Sequence, residues 1–190
     1  AKVFHVSTDY VFNGHSYIPY KEEDAVSPVS VYGKTKRQGE EELLRLCPQT
    51  SIIVRTAWLY SEYRNNFMKT MLRLGAERSR LSVVFDQIGT PTYAYDLASA
   101  LLAILDQSIK GLFVPGIFHY TNEGVCSWYD FASKIMKLAG LSAKVFPIES
   151  AEYPTKAARP HYSVLNKKRI KSVYHLEIPH WEESLALCLD

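Results

Sequence analysis

The sequence predicts an α/β protein organised around a parallel sheet. Short apolar runs, which are typical of buried strands, alternate with longer segments in which apolar residues recur at helical spacing. Glycine and proline residues stand between these segments, where the chain is expected to turn. Strands that alternate with helices in this way are typical of parallel strands connected by crossover helices.

The N-terminal segment predicts a buried strand followed by an irregular region. Residues 2–6 form an apolar run that ends at Ser7, Thr8 and Asp9, so the strand is expected to pass into a loop there. The polar residues 13–28 are expected to run over the surface of the protein.

A long helix is then predicted to begin at Ser27-Pro28 and to end near Leu46, ahead of Pro48. Its interior contains Gly39. Because an interior glycine costs a helix about 1 kcal/mol, we expect this glycine to permit a close approach to a neighbouring element.

The remaining segments continue the alternation. Further strands are predicted at residues 51–56, 81–85, 116–120 and 144–148. Further helices are predicted at residues 66–78, 95–105 and 127–138. From residue 152 onward, several prolines predict loops that alternate with short helices.

Composition and charge narrow the class of protein. The 22 basic and 20 acidic residues are interspersed and give a net charge of +2, which provides no electrostatic basis for binding nucleic acid or a membrane surface. Every apolar run falls short of the roughly 20 residues that span a bilayer. The 3 cysteines are scattered without a Cys-x-x-Cys pair, which favours a reducing compartment and a cytoplasmic protein.

Motifs for several other kinds of chemistry are missing from the sequence. The 6 histidines show no metal-ligand spacing, so no metal site is predicted. No Gly-x-Ser-x-Gly elbow is present to carry a hydrolase nucleophile. The 9 glycines do not form the Gly-x-Gly-x-x-Gly fingerprint of a dinucleotide-binding loop.

Tyr32 and Lys36 stand four residues apart near the start of the predicted long helix. Side chains at positions i and i+4 lie on the same helix face. A tyrosine hydroxyl has an ordinary pKa of about 10, and a nearby ammonium group stabilises the phenolate form. Thr8, at the end of the first strand, adds a neutral hydroxyl donor. Together these groups predict a site that delivers a proton to a carbonyl oxygen, as the reduction of a ketone requires.

Seven stretches of the chain resemble one known family in the same order along the sequence. They are residues 7–12 (Ser-Thr-Asp-Tyr-Val-Phe), 27–36, 55–60, 65–72, 86–92, 158–165 and 179–181. The chain is similar in these stretches to the extended short-chain dehydrogenases/reductases, and within them to the dTDP-4-dehydrorhamnose reductases. A lone Tyr-x-x-x-Lys pair is common, whereas seven stretches in register are specific.

The resemblance implies roles for the matching residues. Tyr32 would be the proton donor, Lys36 would assist it, and Thr8 would polarise the C4 carbonyl of the substrate. The residues that would contact the cofactor are Tyr32, Lys36, Thr56 and Ala57. The residues that would contact the nucleotide sugar are Thr8, Asp9, Tyr10, Trp58, Asn66 and Arg159.

Three of these residues also have a structural interpretation. Asn66 is a favoured N-cap for the helix that follows it. Arg159 could stabilise a proline-flanked turn, although a bidentate guanidinium suits a phosphate group. Trp58 is either a core residue or a rigid aromatic wall against a sugar.

The resemblance also implies a fold and a reaction. Residues 1–110 would form part of a doubly wound, Rossmann-like parallel sheet, and residues 111–190 mainly a small substrate-binding α/β lobe with the C-terminal helices. The reaction would be the NAD(P)H-dependent reduction of the C4 ketone of dTDP-4-dehydro-L-rhamnose to dTDP-L-rhamnose. The alternatives are another nucleotide-sugar reductase or epimerase of the extended family, and a non-catalytic regulatory subunit with the same fold.

The family has a glycine-rich cofactor loop ahead of the segment that resembles residues 7–12. We therefore expect this chain to be the C-terminal part of a longer reductase, to bind NADPH or NADH weakly by itself, and to be inactive alone. We also expect the strands at residues 2–6 and 51–56 to expose a sheet edge along which copies of the chain associate.

Overall fold

Strands and helices alternate along the chain, as the sequence predicts. The computed structural model describes residues 1–155 and 159–190. The strands in these ranges are β1 (Val3–Thr8), β2 (Ser51–Thr56), β3 (Leu59–Tyr60), β4 (Arg80–Val84), β5 (Ile88–Gly89), β6 (Thr92–Tyr93), β7 (Gly116–His119), β8 (Cys126–Ser127) and β9 (Lys144–Ile148). The α-helices are α1 (Val31–Leu46), α2 (Phe67–Glu77), α3 (Ala94–Ile109), α4 (Trp128–Leu138), α5 (Lys168–Tyr174) and α6 (Trp181–Leu189).

A three-stranded parallel sheet in the order β1-β2-β7 lies at the centre of the fold. The register of the first pair places Val3 beside Ser51 and Thr8 beside Thr56. Because parallel strands end at the same edge of a sheet, the carboxyl ends of β1 and β2 bring two threonine side chains to one place.

The two faces of this sheet have different chemistry. On one face, Ile52 and Val54 of β2 pack into an apolar cluster with residues of α3 and α5, among them Ile104 and Ile170. On the other face, β2 turns the buried Arg55 towards α1. The alternation follows from the two-residue period of a strand, so one strand supplies both an apolar core and a polar anchor.

A second, two-stranded parallel sheet pairs β4 with β9. It packs with α2, α4 and α6 around a core that includes Met71, Leu81, Phe131, Ile135 and Leu185. The strand predicted at residues 81–85 therefore belongs to a separate small sheet and not to the central one. The sequence pattern marks both strands as buried and carries no information about their partners.

Helix α1 begins later than the sequence predicts. It begins at Val31 because the hydroxyl of Ser30 accepts a hydrogen bond from the Gly33 N–H at 3.0 Å and caps the helix. The predicted start, Ser27, instead donates its backbone N–H to the Val11 carbonyl at 2.9 Å. That hydrogen bond ties the approach to the helix against the turn that follows β1.

The segment at residues 13–28 does not run entirely over the surface. Tyr20 is buried and its ring stacks on Phe12 with centroids 4.2 Å apart. The Tyr20 N–H donates to the Val164 carbonyl at 2.9 Å. A buried aromatic pair thus anchors a polar segment to the C-terminal part of the chain.

The prediction of two exposed strands is wrong for β2. This strand lies between β1 and β7 and is paired on both sides. Among the described residues, β1 pairs with β2 alone, so β1 is the edge of the central sheet. The error arose because β7, 60 residues further along the sequence than β2, supplies the second neighbour.

The β1-β2-β7 sheet and the β4-β9 sheet draw strands from both sides of residue 110. β4 precedes this position and pairs with β9, whereas β7 follows it and pairs with β2. The assignment of roles to residues 1–110 and 111–190 remains a prediction. Among the helices of the described ranges, none is long and apolar enough to cross a bilayer.

Candidate active site

The candidate site begins at the carboxyl end of β1. Thr8 is buried, and its hydroxyl accepts a hydrogen bond from the Tyr10 N–H at 3.2 Å, which caps a single turn of 3-10 helix. The same hydroxyl donates to Asp9 Oδ1 at 2.9 Å. A polar Ser-Thr-Asp run after an apolar strand therefore folds back on itself at the edge of the sheet.

Gly33 sets the distance between α1 and this turn. A Cβ atom on Gly33 would collide with the backbone carbonyl of Tyr10, so only glycine lets the helix approach so closely. The expectation that Gly39 has this role is wrong, because the nearest atom to a Cβ there is His5 Nε2, at an ordinary contact distance of 3.9 Å. The first turn of α1 thus presses Tyr32 against the end of β1.

Tyr32 and Lys36 lie on the face of α1 that meets the strand end. The Tyr32 ring contacts the Tyr10 ring edge to face, with centroids 5.7 Å apart, and is 55% exposed. Lys36 Nζ donates a hydrogen bond of 2.6 Å to the Val6 carbonyl of β1. This bond fixes the ammonium group beside the end of the strand, one helical turn from the phenol.

A buried ion pair holds α1 on the sheet one turn further along. Glu40 is fully buried, and its carboxylate accepts hydrogen bonds from Arg55 Nε at 2.8 Å and Nη2 at 2.7 Å. Ser7 Oγ donates to the same carboxylate at 2.6 Å, and Arg37 Nη1 donates at 3.2 Å. Burial by itself raises the pKa of Glu40, but the hydrogen bonds and charge of Arg55 hold it below its ordinary value. Four donors therefore connect one carboxylate to β1, β2 and α1.

A cavity of about 340 Å³ brings most of the predicted site residues together. The predicted residues that line it are Thr8, Asp9, Tyr10, Tyr32, Lys36, Thr56, Ala57 and Trp58. The Thr56 hydroxyl is buried and has no hydrogen-bond partner among the described residues. The wall therefore carries a phenol, an ammonium group and hydroxyl groups, which suit proton transfer to a polar ligand atom.

Asp9 is the one carboxyl group among the described residues that line this cavity. It is 3% exposed, and this burial raises its pKa to about 7, against the opposing hydrogen bond from Thr8. Its Oδ2 atom has no hydrogen-bond partner in the described part of the chain. Burial therefore favours the protonated form of Asp9.

Trp58 forms an aromatic wall of the cavity together with Trp128, a residue that sequence reasoning missed. The two indole rings stack with centroids 3.5 Å apart and planes 8° apart. Trp58 is partly buried and also packs against the apolar core that contains Phe131. Trp128 is the first residue of α4. No pattern in the sequence around it indicates that it contacts Trp58.

A second, larger cavity of about 600 Å³ adjoins the first, because Trp128 lines both. Its wall contains three guanidinium groups, from Arg78, Arg80 and Arg159. It also contains the aromatic side chains of Phe67 and Tyr153. Cationic and aromatic groups together suit an anionic ligand with a planar ring. Arg78 and Arg80 stand at the junction of α2 and β4, where charged residues are usually solvated, so no sequence pattern marked them as site residues.

Asn66 lies outside both cavities, and its hydrogen bonds are local. Its side chain accepts from the Lys69 N–H at 3.1 Å and caps α2, as the structural interpretation predicts. Its amide group donates to the Ser61 carbonyl at 2.6 Å. Arg159 is exposed and lines the larger cavity, while its neighbour Ala158 lies outside the described residues.

Comparisons with known proteins match the whole chain to one family. A family model described as the RmlD substrate binding domain matches residues 1–190. A dTDP-4-dehydrorhamnose reductase from Aggregatibacter actinomycetemcomitans is 47% identical over 191 residues, which cover 96% of this chain and 64% of the relative.

Solved structures that resemble this chain include reductases of the same name. The crystal structure of a dTDP-4-dehydrorhamnose reductase from Clostridium acetobutylicum matches with a TM-score of 0.92 at 44% identity, covering 100% of this chain and 65% of that protein. A dTDP-4-dehydrorhamnose reductase from Bacillus anthracis in complex with NADP matches with a TM-score of 0.92 at 41% identity, covering 99% and 65%. The chain thus spans less than two thirds of the length of these relatives.

Proposed function

Because this chain belongs to the RmlD substrate binding domain family, we propose that it is the substrate-binding and proton-donating part of a dTDP-4-dehydrorhamnose reductase. The reaction is the NAD(P)H-dependent reduction of the C4 ketone of dTDP-4-dehydro-L-rhamnose to dTDP-L-rhamnose. The observation that carries the proposal is the convergence of Thr8, Tyr32 and Lys36 on one cavity. Relatives named for this activity support it.

In this proposal Tyr32 is the general acid. Its phenolic O–H donates a proton to the ketone oxygen, which carries negative charge as the C4 carbon becomes tetrahedral. The phenolate that remains is stabilised by the ammonium group of Lys36, which is held in place by the Val6 carbonyl. The alcohol takes the proton that the tyrosine loses, and the phenol is restored from solvent because its ring is exposed.

Thr8 and Asp9 orient the ketone oxygen. In the described geometry the Thr8 hydroxyl points its proton at Asp9 Oδ1. When Asp9 is protonated, the carboxylic acid donates to the Thr8 oxygen instead, and the threonine O–H is free to donate to the ketone. Burial makes the acid form of Asp9 available near neutral pH. The pair thereby supplies a neutral donor without adding a negative charge beside the developing alkoxide.

The cavity wall fits the nicotinamide-ribose end of a cofactor. Thr56 offers a buried hydroxyl without a partner among the described residues, and Tyr32, Lys36 and Ala57 line the same cavity. A bound nicotinamide cofactor, NADPH or NADH, supplies the hydride. Since the sequence has no glycine-rich fingerprint, we assign the cofactor phosphates to groups outside these 190 residues.

The larger cavity accommodates the nucleotide end of the substrate. The guanidinium groups of Arg78, Arg80 and Arg159 pair with the diphosphate, and Phe67 and Tyr153 pack against the base. The sugar then enters the smaller cavity, past Trp58. A direct contact from Asn66 to the nucleotide sugar remains the weaker part of the proposal, because the described hydrogen bonds of its side chain are satisfied within its own loop and helix.

The proposal places the reaction in the cytoplasm. The scattered spacing of the three cysteines, Cys47, Cys126 and Cys188, supports a reducing compartment. The open edge of β1 supports association with a second copy of the chain, so a homo-oligomer is part of the proposal. Nucleic acid and membranes are not among the proposed partners.

A chimera tests the proposal. The portion of the Aggregatibacter actinomycetemcomitans reductase that this chain does not match is joined to the 190 residues, and oxidation of NADPH is followed with dTDP-4-dehydro-L-rhamnose. We expect Tyr32→Phe to lower kcat by a factor of about 100 or more, because the proton donor is lost. Tyr17→Phe, at an 89% exposed tyrosine outside both cavities, is the matched control.

The outcomes separate the alternatives. Near wild-type turnover by the Tyr32→Phe chimera would contradict the assignment of the proton donor. A chimera that acts on a different nucleotide sugar, identified by its product, would favour another reductase or epimerase of the extended family. A chimera that folds and binds the nucleotide sugar without turnover would favour a regulatory subunit.

A further inference from the structure

Granted the proposed function, we infer that Trp128 is a positioning residue for the sugar-binding site. It acts through Trp58: its indole fixes the Trp58 ring as the wall against which the deoxysugar packs. Trp128 is the N-terminal residue of α4, more than 60 residues from Trp58 in the sequence. The inferred role concerns the sugar end of the ligand, in addition to the place of Trp128 in the wall of the larger cavity.

The stacking geometry supports this role. The two rings are almost parallel, with planes 8° apart, and Trp128 therefore covers one face of the Trp58 indole. Phe67 contacts Trp128 with ring centroids 4.5 Å apart, which holds Trp128 from the side of α2. Stacked aromatic pairs are stabilised beyond the area that they bury, so the position of one ring depends on the other.

Trp58 has a strained backbone conformation, and its ring fits only because residue 89 is a glycine. Trp58 has a φ of 48°, in the left-handed region that non-glycine residues rarely adopt. A Cβ atom on Gly89 would lie 2.6 Å from the Trp58 ring, so a glycine is needed on that side as well. Strained backbone persists where surrounding contacts over-determine it, and the stacked Trp128 ring is one of those contacts.

Trp128 lies between the two cavities, where it can affect how a ligand that occupies both of them binds. Trp128 lines both cavities, while Trp58 lines only the smaller one. A ligand that carries a nucleotide in the larger cavity and a sugar in the smaller one passes this pair of rings. The flat face of Trp58 suits the apolar face and methyl group of a 6-deoxysugar. Its orientation therefore determines how tightly the sugar part binds.

Calorimetry on the 190-residue chain tests the inference with two probes, dTDP-L-rhamnose and dTDP. The variants are Trp128→Leu, Trp58→Leu and the double variant, with Trp128→Phe as the conservative replacement. We expect Trp128→Leu to weaken binding of dTDP-L-rhamnose about tenfold, the order of an aromatic stacking contribution. We expect a smaller loss for dTDP than for dTDP-L-rhamnose, although Trp128 also lines the larger cavity, and we expect Trp128→Phe to restore most of the affinity.

The double variant shows whether Trp128 acts through Trp58. If it does, Trp128→Leu has less than about a twofold effect once Trp58 is leucine, because the two changes are coupled. Far-ultraviolet circular dichroism reports the pair directly, through the exciton signal of stacked indoles. That signal is expected to disappear in Trp128→Phe, while retained dTDP binding shows that the variant is folded.

Three results would overturn the inference. They are equal losses of dTDP and dTDP-L-rhamnose binding, fully additive effects of the two substitutions, and unchanged sugar affinity in Trp128→Leu. If Trp128→Leu does not fold, an exciton signal that persists in Trp128→Phe would count against it in the same way. A wild-type chain that binds dTDP but shows no gain from the rhamnose would instead contradict the proposed function itself, and with it the role of Trp128.

Discussion

At the scale of single residues, the site depends on side chains that are unfavourable in isolation. Asp9 is a carboxyl group enclosed at a strand end, and Trp58 adopts a left-handed backbone conformation. Each persists because neighbouring residues fix it: Thr8 hydrogen-bonds Asp9, and Trp128 stacks on Trp58. Features of this kind cluster at binding sites, where the surrounding structure bears their cost.

The raised pKa of Asp9 makes stability depend on pH. Burial raises its folded-state pKa from 3.8 to about 7, so folding favours the protonated form. The contribution to stability is complete below about pH 4 and is lost as the pH rises towards 7, at about 1.4 kcal/mol for each pH unit. We expect Asp9→Asn to flatten the pH dependence of the free energy of unfolding in this window. Urea unfolding at several pH values measures it.

The control for this measurement is Asp106→Asn, which removes an exposed carboxylate that pairs with Lys110. Its profile is expected to follow that of the wild-type chain closely, because an exposed ion pair contributes little. An Asp9→Asn variant whose stability falls with pH as steeply as that of the wild type would show that Asp9 does not carry the effect.

Two glycines form a matched pair for a test of packing. Gly89→Ala places a Cβ 2.6 Å from the Trp58 ring and 2.7 Å from Ser163 Oγ, whereas Gly39→Ala meets only His5 at 3.9 Å. We expect Gly89→Ala to destabilise the chain by about 1–3 kcal/mol through overpacking. Gly39→Ala, within a helix, is expected to stabilise it by about 0.5–1 kcal/mol. Thermal unfolding of both variants checks the two signs.

At the scale of elements, α1 is held on the central sheet by polar contacts more than by apolar ones. The buried residues of this helix in the described structure are Gly33 and Glu40, so the helix buries no large apolar side chain there. Glu40 reaches Arg55 on β2 and Ser7 on β1, next to Thr56 and Thr8 of the site. A directional network of this kind fixes the rotation and position of a helix, which a purely apolar contact leaves freer.

Breaking this network is expected to be costly. Glu40→Gln leaves the buried Arg55 guanidinium without a matching charge, so we expect a loss of about 3–5 kcal/mol in the free energy of unfolding. The double variant Glu40→Met/Arg55→Met removes both charges and is expected to recover a large part of that loss. Lys110→Met, which breaks an exposed pair with Asp106, is the control and is expected to cost less than about 1 kcal/mol. Chemical denaturation of the three variants measures these differences, and an equal cost for both single changes would contradict the buried network.

At the scale of the whole molecule, the two sheets divide the work of the site. The central sheet supplies the strand ends against which α1 places Tyr32 and Lys36, and the β4–β9 sheet with α2 and α4 supplies the larger cavity. Trp128 lies where the two units meet. The chain spans less than two thirds of the length of the relatives that it matches, and β1 is an open edge among the described residues.

This architecture predicts the behaviour of the 190-residue chain by itself. Without a glycine-rich loop, we expect NADPH to bind more weakly than micromolar, as measured by fluorescence titration. We also expect concentration-dependent association along β1 in sedimentation velocity, and Val3→Lys is expected to reduce it by placing a charge on the edge strand. Micromolar NADPH affinity, or a monomer at every concentration, would contradict the corresponding expectation.

Local features of the site could be predicted from the sequence. The apolar run that ends at Thr8 marks a strand end, and the spacing of Tyr32 and Lys36 places both on one helix face. Strand β2 and strand β9 match their predicted bounds, and Asn66 caps α2 as its residue type suggests. Each of these features depends on residues within a few positions of one another, where periodicity and capping preferences act.

The tertiary structure decided what depends on distant residues. It paired β4 with β9 and placed β7 beside β2, and it showed that Gly33, rather than Gly39, permits the close approach of α1. It also brought Trp128 onto Trp58. The sequence by itself determined the chemical groups and the local elements that carry them, because these follow from short-range spacing. Which strands pair and which side chains meet depended on the packing of segments far apart in the chain, and no local pattern encodes that.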